Sequence, residues 1–160
     1  MPDLLTHVLI VYSACLVLSW RLAWLDQAYV TVAMLGAMTP DLSKINLLLP
    51  SWLVERWLSL PFSWTALHTV GGVALTILIV VTLVGSAYRK RVAALLAFGA
   101  GTHLLADAML RSVTGRSFAF FWPLSAYAPP TPGLYLSTDP WPTVVAIVIA
   151  VAVTALDRRR

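Results

Sequence analysis

The chain has 160 residues, of which 59% are hydrophobic and 11% charged, with a formal charge of +4. A soluble domain of this size carries about twice that charged fraction, so the composition indicates an integral membrane protein and excludes a soluble globular enzyme. The positive charge sits in two short clusters, Arg89-Lys90-Arg91 and Arg158-Arg159-Arg160, rather than on a broad nucleic-acid-binding face, so no nucleic-acid partner is expected.

Five apolar segments are predicted along the chain, with no internal repeat, giving one all-α membrane helix bundle over residues 1–160. The first runs from about Leu4 to Trp24. It lacks a basic start and a small-residue cleavage site, so it reads as a retained helix rather than a signal peptide. Cys15, alone and mid-segment, reads as a packed, inert thiol. After a tight turn at Asp26-Gln27, the second segment runs from about Tyr29 to Thr39 and stops at Pro40-Asp41. It is short against the roughly 20 residues of an ordinary span, so a tilted or re-entrant helix is open. Residues 42–62 mix Lys44, Glu55 and Arg56 with Trp52, Trp57 and leucines between Pro50 and Pro61, a pattern suited to an interfacial segment.

The third segment runs from about Trp64 to Ala87 and the fourth from about Val92 to Val113. A loop over 114–139 follows, rich in proline and aromatics and poor in charge. Such a loop is stiff, and it is expected to fold back over the mouth of the bundle, as a lid for an amphiphilic substrate or as a cap on the helix ends. The last segment runs from about Trp141 to Leu156. Gly99 and Gly101, and Gly71-Gly72, are expected to allow close helix packing.

Charge bias orients these spans. Lys and Arg favour the cytoplasmic side. Placing both basic clusters there brings Arg21 with them, so seven of the eleven basic residues become cytoplasmic, the N-terminus lies outside and the C-terminus inside. Trp20, Trp24, Tyr29 and Tyr88 then mark the inner interface, and Trp52, Trp57, Trp64, Trp122 and Trp141 the outer one.

This topology gathers the ionisable residues that hydropathy cannot explain. His103 and Asp107 lie four apart, on one helical face, inside the fourth segment. A buried carboxylate in a bilayer is costly and marks a functional site by default. His7, Asp41 and His68 fall at the same outer depth, although the orientation argument used no histidine. Imidazole and carboxylate ligands without thiolate suit zinc, or else manganese or iron, as one ion or as two with Asp107 bridging. Asp3, one turn before His7, is a further ligand or an outer partner. Each also has a structural use: intramembrane His and Asp join helices through hydrogen bonds, and Pro-Asp after a helix makes a turn. Arg111 and Arg116 are either anion clamps or interface anchors.

The run Gly101-Thr102-His103-Leu104-Leu105-Ala106-Asp107, followed by Thr114-Gly115 and Trp122-Pro123-Leu124, resembles the YdjM-like (LexA-regulated) membrane-bound metal-dependent hydrolases. That family's early Thr-His and its Pro-Asp after the second helix match Thr6-His7 and Pro40-Asp41. Its hydroxyl-His before the third helix is reversed here, as Leu67-His68-Thr69. The resemblance covers most of residues 1–125. The ligand order His, Asp, His, then His-x-x-x-Asp is also similar to that of zinc-dependent phospholipase C, although no His follows His103 to serve a third ion. Together these resemblances imply a hydrolase of the prokaryotic cell membrane, cleaving a phosphoester in a lipid or amphiphilic substrate at the outer face. The implied site uses His103, Asp107, Arg111 and Arg116 with a divalent metal. The other class of reading is a non-catalytic helical subunit, or a metal-binding or transport protein. Transport requires ionisable groups at several depths, and the inner halves of the spans hold almost none.

Overall fold

The computed structural model describes residues 4–160, so Asp3 lies outside the described residues. Regular structure there is helical: α1 (Leu4–Ser19), α2 (Gln27–Met38), a 3-10 helix (Pro40–Leu47), α3 (Ser51–Leu58), a second 3-10 helix (Trp64–His68), α4 (Val70–Leu83), α5 (Arg89–Ala108) and α6 (Trp141–Asp157). Only two isolated bridges, Leu110 with Tyr135 and Arg116 with Pro130, interrupt this pattern among the described residues.

The helices are shorter than the apolar segments because polar side chains end them early. Asp26 caps α2, its Oδ1 accepting the Tyr29 N–H at 3.1 Å. Pro40 cannot continue α2 and instead opens the 3-10 helix at a position where its missing N–H costs nothing. The segment predicted as one helix from Trp64 is split at Thr69, which turns extended and accepts the Gly72 N–H on Oγ1 at 3.2 Å. His68 therefore stands at the entrance to α4, on the short 3-10 turn, and not one turn inside a continuous helix. Likewise, α5 stops at Ala108 rather than near Val113. Residues 131–135 take over its free carbonyls: Thr131 Oγ1 donates to Ala108 O and Leu110 O, Leu134 N–H to Met109 O, and Tyr135 Oη to Ala106 O. Among the described residues no helix is long and apolar enough to cross a membrane.

Five helices run in alternation between two ends. At one end Arg91 stacks on Trp24 and Tyr29, Arg160 stacks on Trp20, and Trp20 Nε1 donates to Asp157 at 2.8 Å. The histidines gather at the other end. Helices α1 and α6 run parallel, joined by Thr6 with Thr143 at 2.7 Å and Tyr12 with Thr154 at 3.0 Å. Val11, Cys15, Val30, Ala33, Ala37 and Leu95 form the core between α1, α2 and α5. Cys15 is free and fully buried there. Outward, the bundle is apolar: Leu75, Leu78 and Ile79 of α4 and Val144, Val148 and Val151 of α6 are exposed.

Helices α2 and α5 touch backbone to backbone. A Cβ on Gly99 would lie 2.0 Å from Ala33 O, and one on Gly36 would lie 2.6 Å from Leu96 O. Gly72 is as tight, 2.1 Å from Ala66 O. Gly101 differs from its expected packing role, since a Cβ there meets nothing within 4 Å. Its place on α5 turns it away from α2.

These contacts make opposite predictions for two glycines two residues apart. Gly99→Ala forces α2 off α5 and should cost about 1–3 kcal/mol, the usual cost of overpacking. Gly101→Ala gains helix propensity and should be neutral or stabilise by up to about 1 kcal/mol. Thermal unfolding in detergent separates them, and equal effects would refute the close α2–α5 approach.

Candidate metal centre

Four elements deliver five side chains to one place. His7 comes from the first turns of α1, Asp41 from the first 3-10 helix, His68 from the second, and His103 and Asp107 from successive turns of α5. All are buried: His103 is 0% exposed, His7 2% and Asp107 4%. Asp107 Oδ1 lies 3.4 Å from His7 Nε2, and its Oδ2 lies 3.0 Å from His68 Nε2 and 3.4 Å from His103 Nε2. His103 Nε2 is also 3.8 Å from Asp41 Oδ1. The His7 and His103 rings stack at 3.8 Å, and Phe118 packs edge-on against His68.

The backbone fixes which nitrogens carry protons. His103 Nδ1 lies 2.7 Å from Ala37 O, and His68 Nδ1 lies 3.3 Å from Pro40 O. A carbonyl only accepts, so each Nδ1 must be the donor. In the neutral ring Nε2 then bears a lone pair. Two imidazole lone pairs, those of His68 and His103, therefore face the Asp107 carboxylate, with the His7 edge beside them. His7 Nε2, His103 Nε2, Asp41 Oδ1 and both Asp107 oxygens are buried without partners. Lone pairs facing lone pairs at 3.0–3.8 Å repel one another unless a cation stands between them. Protonating both stacked rings would set two positive charges face to face. A divalent ion satisfies the atoms that face one another, and the Nδ1 bonds of His68 and His103 are the outer contacts that orient histidine ligands, while His7 Nδ1 is buried without a partner.

The donor set fits such an ion. Ligands about 2.0–2.1 Å from a tetrahedral zinc stand roughly 3.3 Å from one another, close to the spacings seen. Two groups of three can hold a metal: His7, His103 and Asp107, and Asp41, His68 and His103. Both groups share His103, whose Nε2 serves only one ion because Nδ1 is engaged. The two Asp107 oxygens face different rings, Oδ1 toward His7 and Oδ2 toward His68 and His103.

Arg111 and Arg116 do not join the cluster. Both are exposed, and they line a cavity of about 430 Å³ that reaches Asp107. A second cavity of about 740 Å³ reaches His68 and Asp107 from the side of Phe62, Phe118 and Trp122. The loop 114–139 forms walls of both. It is tied down by Val70 N–H to Phe120 O at 2.8 Å and Ser117 N–H to Pro129 O at 2.8 Å.

Four participants escaped the sequence reading. Lys44 donates to Asp41 Oδ2 at 2.7 Å, leaving Oδ1 for the centre; the i, i+3 spacing was its signal. Tyr135 closes α5 behind Asp107. Its phenol is pushed up to about 12, by burial first and then by the Asp107 charge. The carbonyls of Ala37 and Pro40 carry no side-chain signal.

A family model described as YdjM inner membrane protein matches residues 1–160. No curated protein and no solved structure matches the chain significantly.

Asp107→Asn keeps shape and removes charge, so it should lower metal affinity at least about 100-fold, beyond what loss of an outer partner does. His103→Ala should act alike. Chelation should lower the thermal midpoint of the native chain by removing a ligand of the folded state. Metal analysis of purified protein beside thermal unfolding measures both. If the cluster only joins helices, the native chain carries no metal and Asp107→Asn is neutral or more stable.

Proposed function

The chain belongs to the YdjM inner membrane protein family, and from that premise we propose a membrane-embedded, metal-dependent hydrolase that cleaves a phosphoester of a lipid or amphiphile at the outer face of the membrane. One observation carries this reading. The unpartnered oxygens of Asp107 face three imidazole nitrogens at the point where two cavities open.

His7, Asp41, His68, His103 and Asp107 would hold one or two divalent ions, zinc first and manganese or iron next. A metal held there would supply Lewis acidity toward a water and toward the phosphoryl oxygen. The chain's own groups do the rest. Asp107 and His103 set the centre on the rigid end of α5. Arg111 and Arg116 hold the phosphate through charge-assisted hydrogen bonds. Phe118 and Trp122 shield the centre on the loop side. Attack by water requires no Ser-His-Asp arrangement, and no such arrangement is formed by the three histidines.

A membrane setting follows from the apolar outer faces of α4 and α6, which in water would be a liability. Helices α1, α4, α5 and α6, of 16, 14, 20 and 17 residues, give roughly 21–30 Å, and α2, of 12 residues, roughly 18 Å, against about 30 Å of hydrocarbon. Local thinning and the Trp and Arg anchors at the basic end absorb such a mismatch. Five traverses put the N-terminus and the centre outside and the C-terminus in the cytoplasm.

Two measurements test this. Cysteine labelling near each terminus should tag the N-terminus from outside and the C-terminus only after permeabilisation; tagging of both from the cytoplasm removes α2 as a crossing and the outer-face claim with it. Purified protein should release phosphate or a phosphorylated head group from lipid only with metal, and Asp107→Asn should lower the rate by 100-fold or more. A metal-loaded chain inert toward lipid phosphoesters would favour the metal-binding alternative.

A further inference from the structure

Two cavities of opposite chemistry meet at Asp107. The larger is walled by Pro61, Phe62, Ala66, Ala119 and Trp122. Glu55 also borders it, but its Oε1 is engaged by the Phe62 N–H at 2.9 Å. The smaller is walled by Arg111, Ser112, Thr114, Arg116 and Ser117. Asp107, Leu110 and Phe118 belong to both. Such a pair of compartments selects a molecule with an apolar chain on one side of the reacting bond and a polar group on the other.

The polar side is specific about charge. Neither guanidinium forms an ion pair among the described residues; Arg116 Nη1 donates only to Ala128 O, at 3.3 Å. Asp107 is the one carboxylate lining this side, and it faces the histidines. Ser117 Oγ is buried without a partner. A phosphomonoester carries about −1.5 to −2 charges near neutrality and three strong acceptor oxygens. It answers two guanidinium groups and a hydroxyl. A diester offers one charge. A quaternary ammonium head group needs an aromatic cage, and Phe118 is the only aromatic residue on this side.

We propose that the substrate is a lipid ending in a phosphate, a phosphomonoester or diphosphate, and not a zwitterionic phosphodiester. Its chain lies in the Phe62–Trp122 cavity and its terminal phosphate between Arg111, Arg116 and the metal centre. This rests on reading the centre as a phosphoester hydrolase. In the reaction, water oxygen forms a new P–O bond as the bond from phosphorus to the lipid-side oxygen breaks. The bonding pair leaves with that oxygen, which takes one proton of the attacking water. The products are inorganic phosphate and the lipid alcohol, or the lipid monophosphate from a diphosphate.

The test uses the full chain in detergent, with binding measured on metal-depleted protein and turnover on zinc-loaded protein. The probes are phosphatidate, phosphatidylcholine and glycerol phosphate. Phosphatidate should bind at least about tenfold more tightly than either other probe: phosphatidylcholine loses a charge-assisted contact worth about tenfold or more, and glycerol phosphate loses the burial of the chain. Removing both arginines (Arg111→Ala with Arg116→Ala) should weaken phosphatidate more than phosphatidylcholine and so erase the preference between these two lipids. Ala119→Phe, which fills the apolar side, should weaken phosphatidate and leave glycerol phosphate unchanged. Phosphatidylcholine bound and cleaved as well as phosphatidate would overturn this inference while the hydrolase reading stands. Glycerol phosphate bound as tightly as phosphatidate would overturn it too, because the apolar cavity would then contribute nothing. Arginine-dependent binding of phosphatidate without turnover of any probe would keep the ligand class and overturn the hydrolase.

Discussion

A carboxylate held against three imidazole edges is the constraint on which the remainder depends. Asp107 cannot stay buried and charged on its own, and the two rings whose tautomers the backbone sets have no proton to offer it. Either a cation completes the arrangement or the end of the bundle carries several uncompensated polar atoms. The cost of the second state is what makes the first a persuasive reading. It also explains why the ligands come from four elements. Local bonds set the ends of these elements, such as Thr69 Oγ1 accepting the Gly72 N–H at the entrance to α4 and Thr39 Oγ1 donating to Gly36 O at the end of α2.

Close packing of α2 on α5 is part of the same arrangement. Ala37 O reaches His103 Nδ1 only because Gly36 and Gly99 let the two backbones approach. The glycine contact thus acts on chemistry through geometry: it places the acceptor that chooses the His103 tautomer, which in turn decides which nitrogen faces the centre. At the far end of α5, Thr131, Leu134 and Tyr135 hold the last carbonyls and keep Asp107 from fraying with its helix terminus. The loop that walls both cavities is therefore also the C-cap of the helix that carries the site.

Much of this was legible in the residues. His103 and Asp107 stood out because polar side chains in an apolar run demand a reason. Charge bias then put His7, Asp41 and His68 on the same side as that pair, and the structure brings all five side chains together at one end of the bundle. The helices were legible in type and number but not in length. Apolar runs say where the chain avoids water, and caps say where a helix stops. Thr69 and the 131–135 carbonyl contacts are decided by hydrogen bonds that hydropathy does not register. What stayed hidden was mostly backbone: Ala37 O and Pro40 O belong to residues whose side chains say nothing. Arg111 and Arg116 were visible as charges, yet only the folded loop gives them a cavity apart from the histidines.

That separation has a chemical consequence. Cations placed directly among the ligands would compete with a metal for Asp107 and lower its affinity. Set instead along an adjoining cleft, two guanidinium groups leave the carboxylate free and add their field to the cavity that reaches it. Lys44 follows the same logic on the other flank. It takes Asp41 Oδ2, the oxygen turned outward, and so orients Oδ1 toward His103 without entering the cluster. Positive charge thus flanks the centre on two sides while its interior holds no Lys or Arg side chain, an arrangement suited to holding a dication and an anion at once.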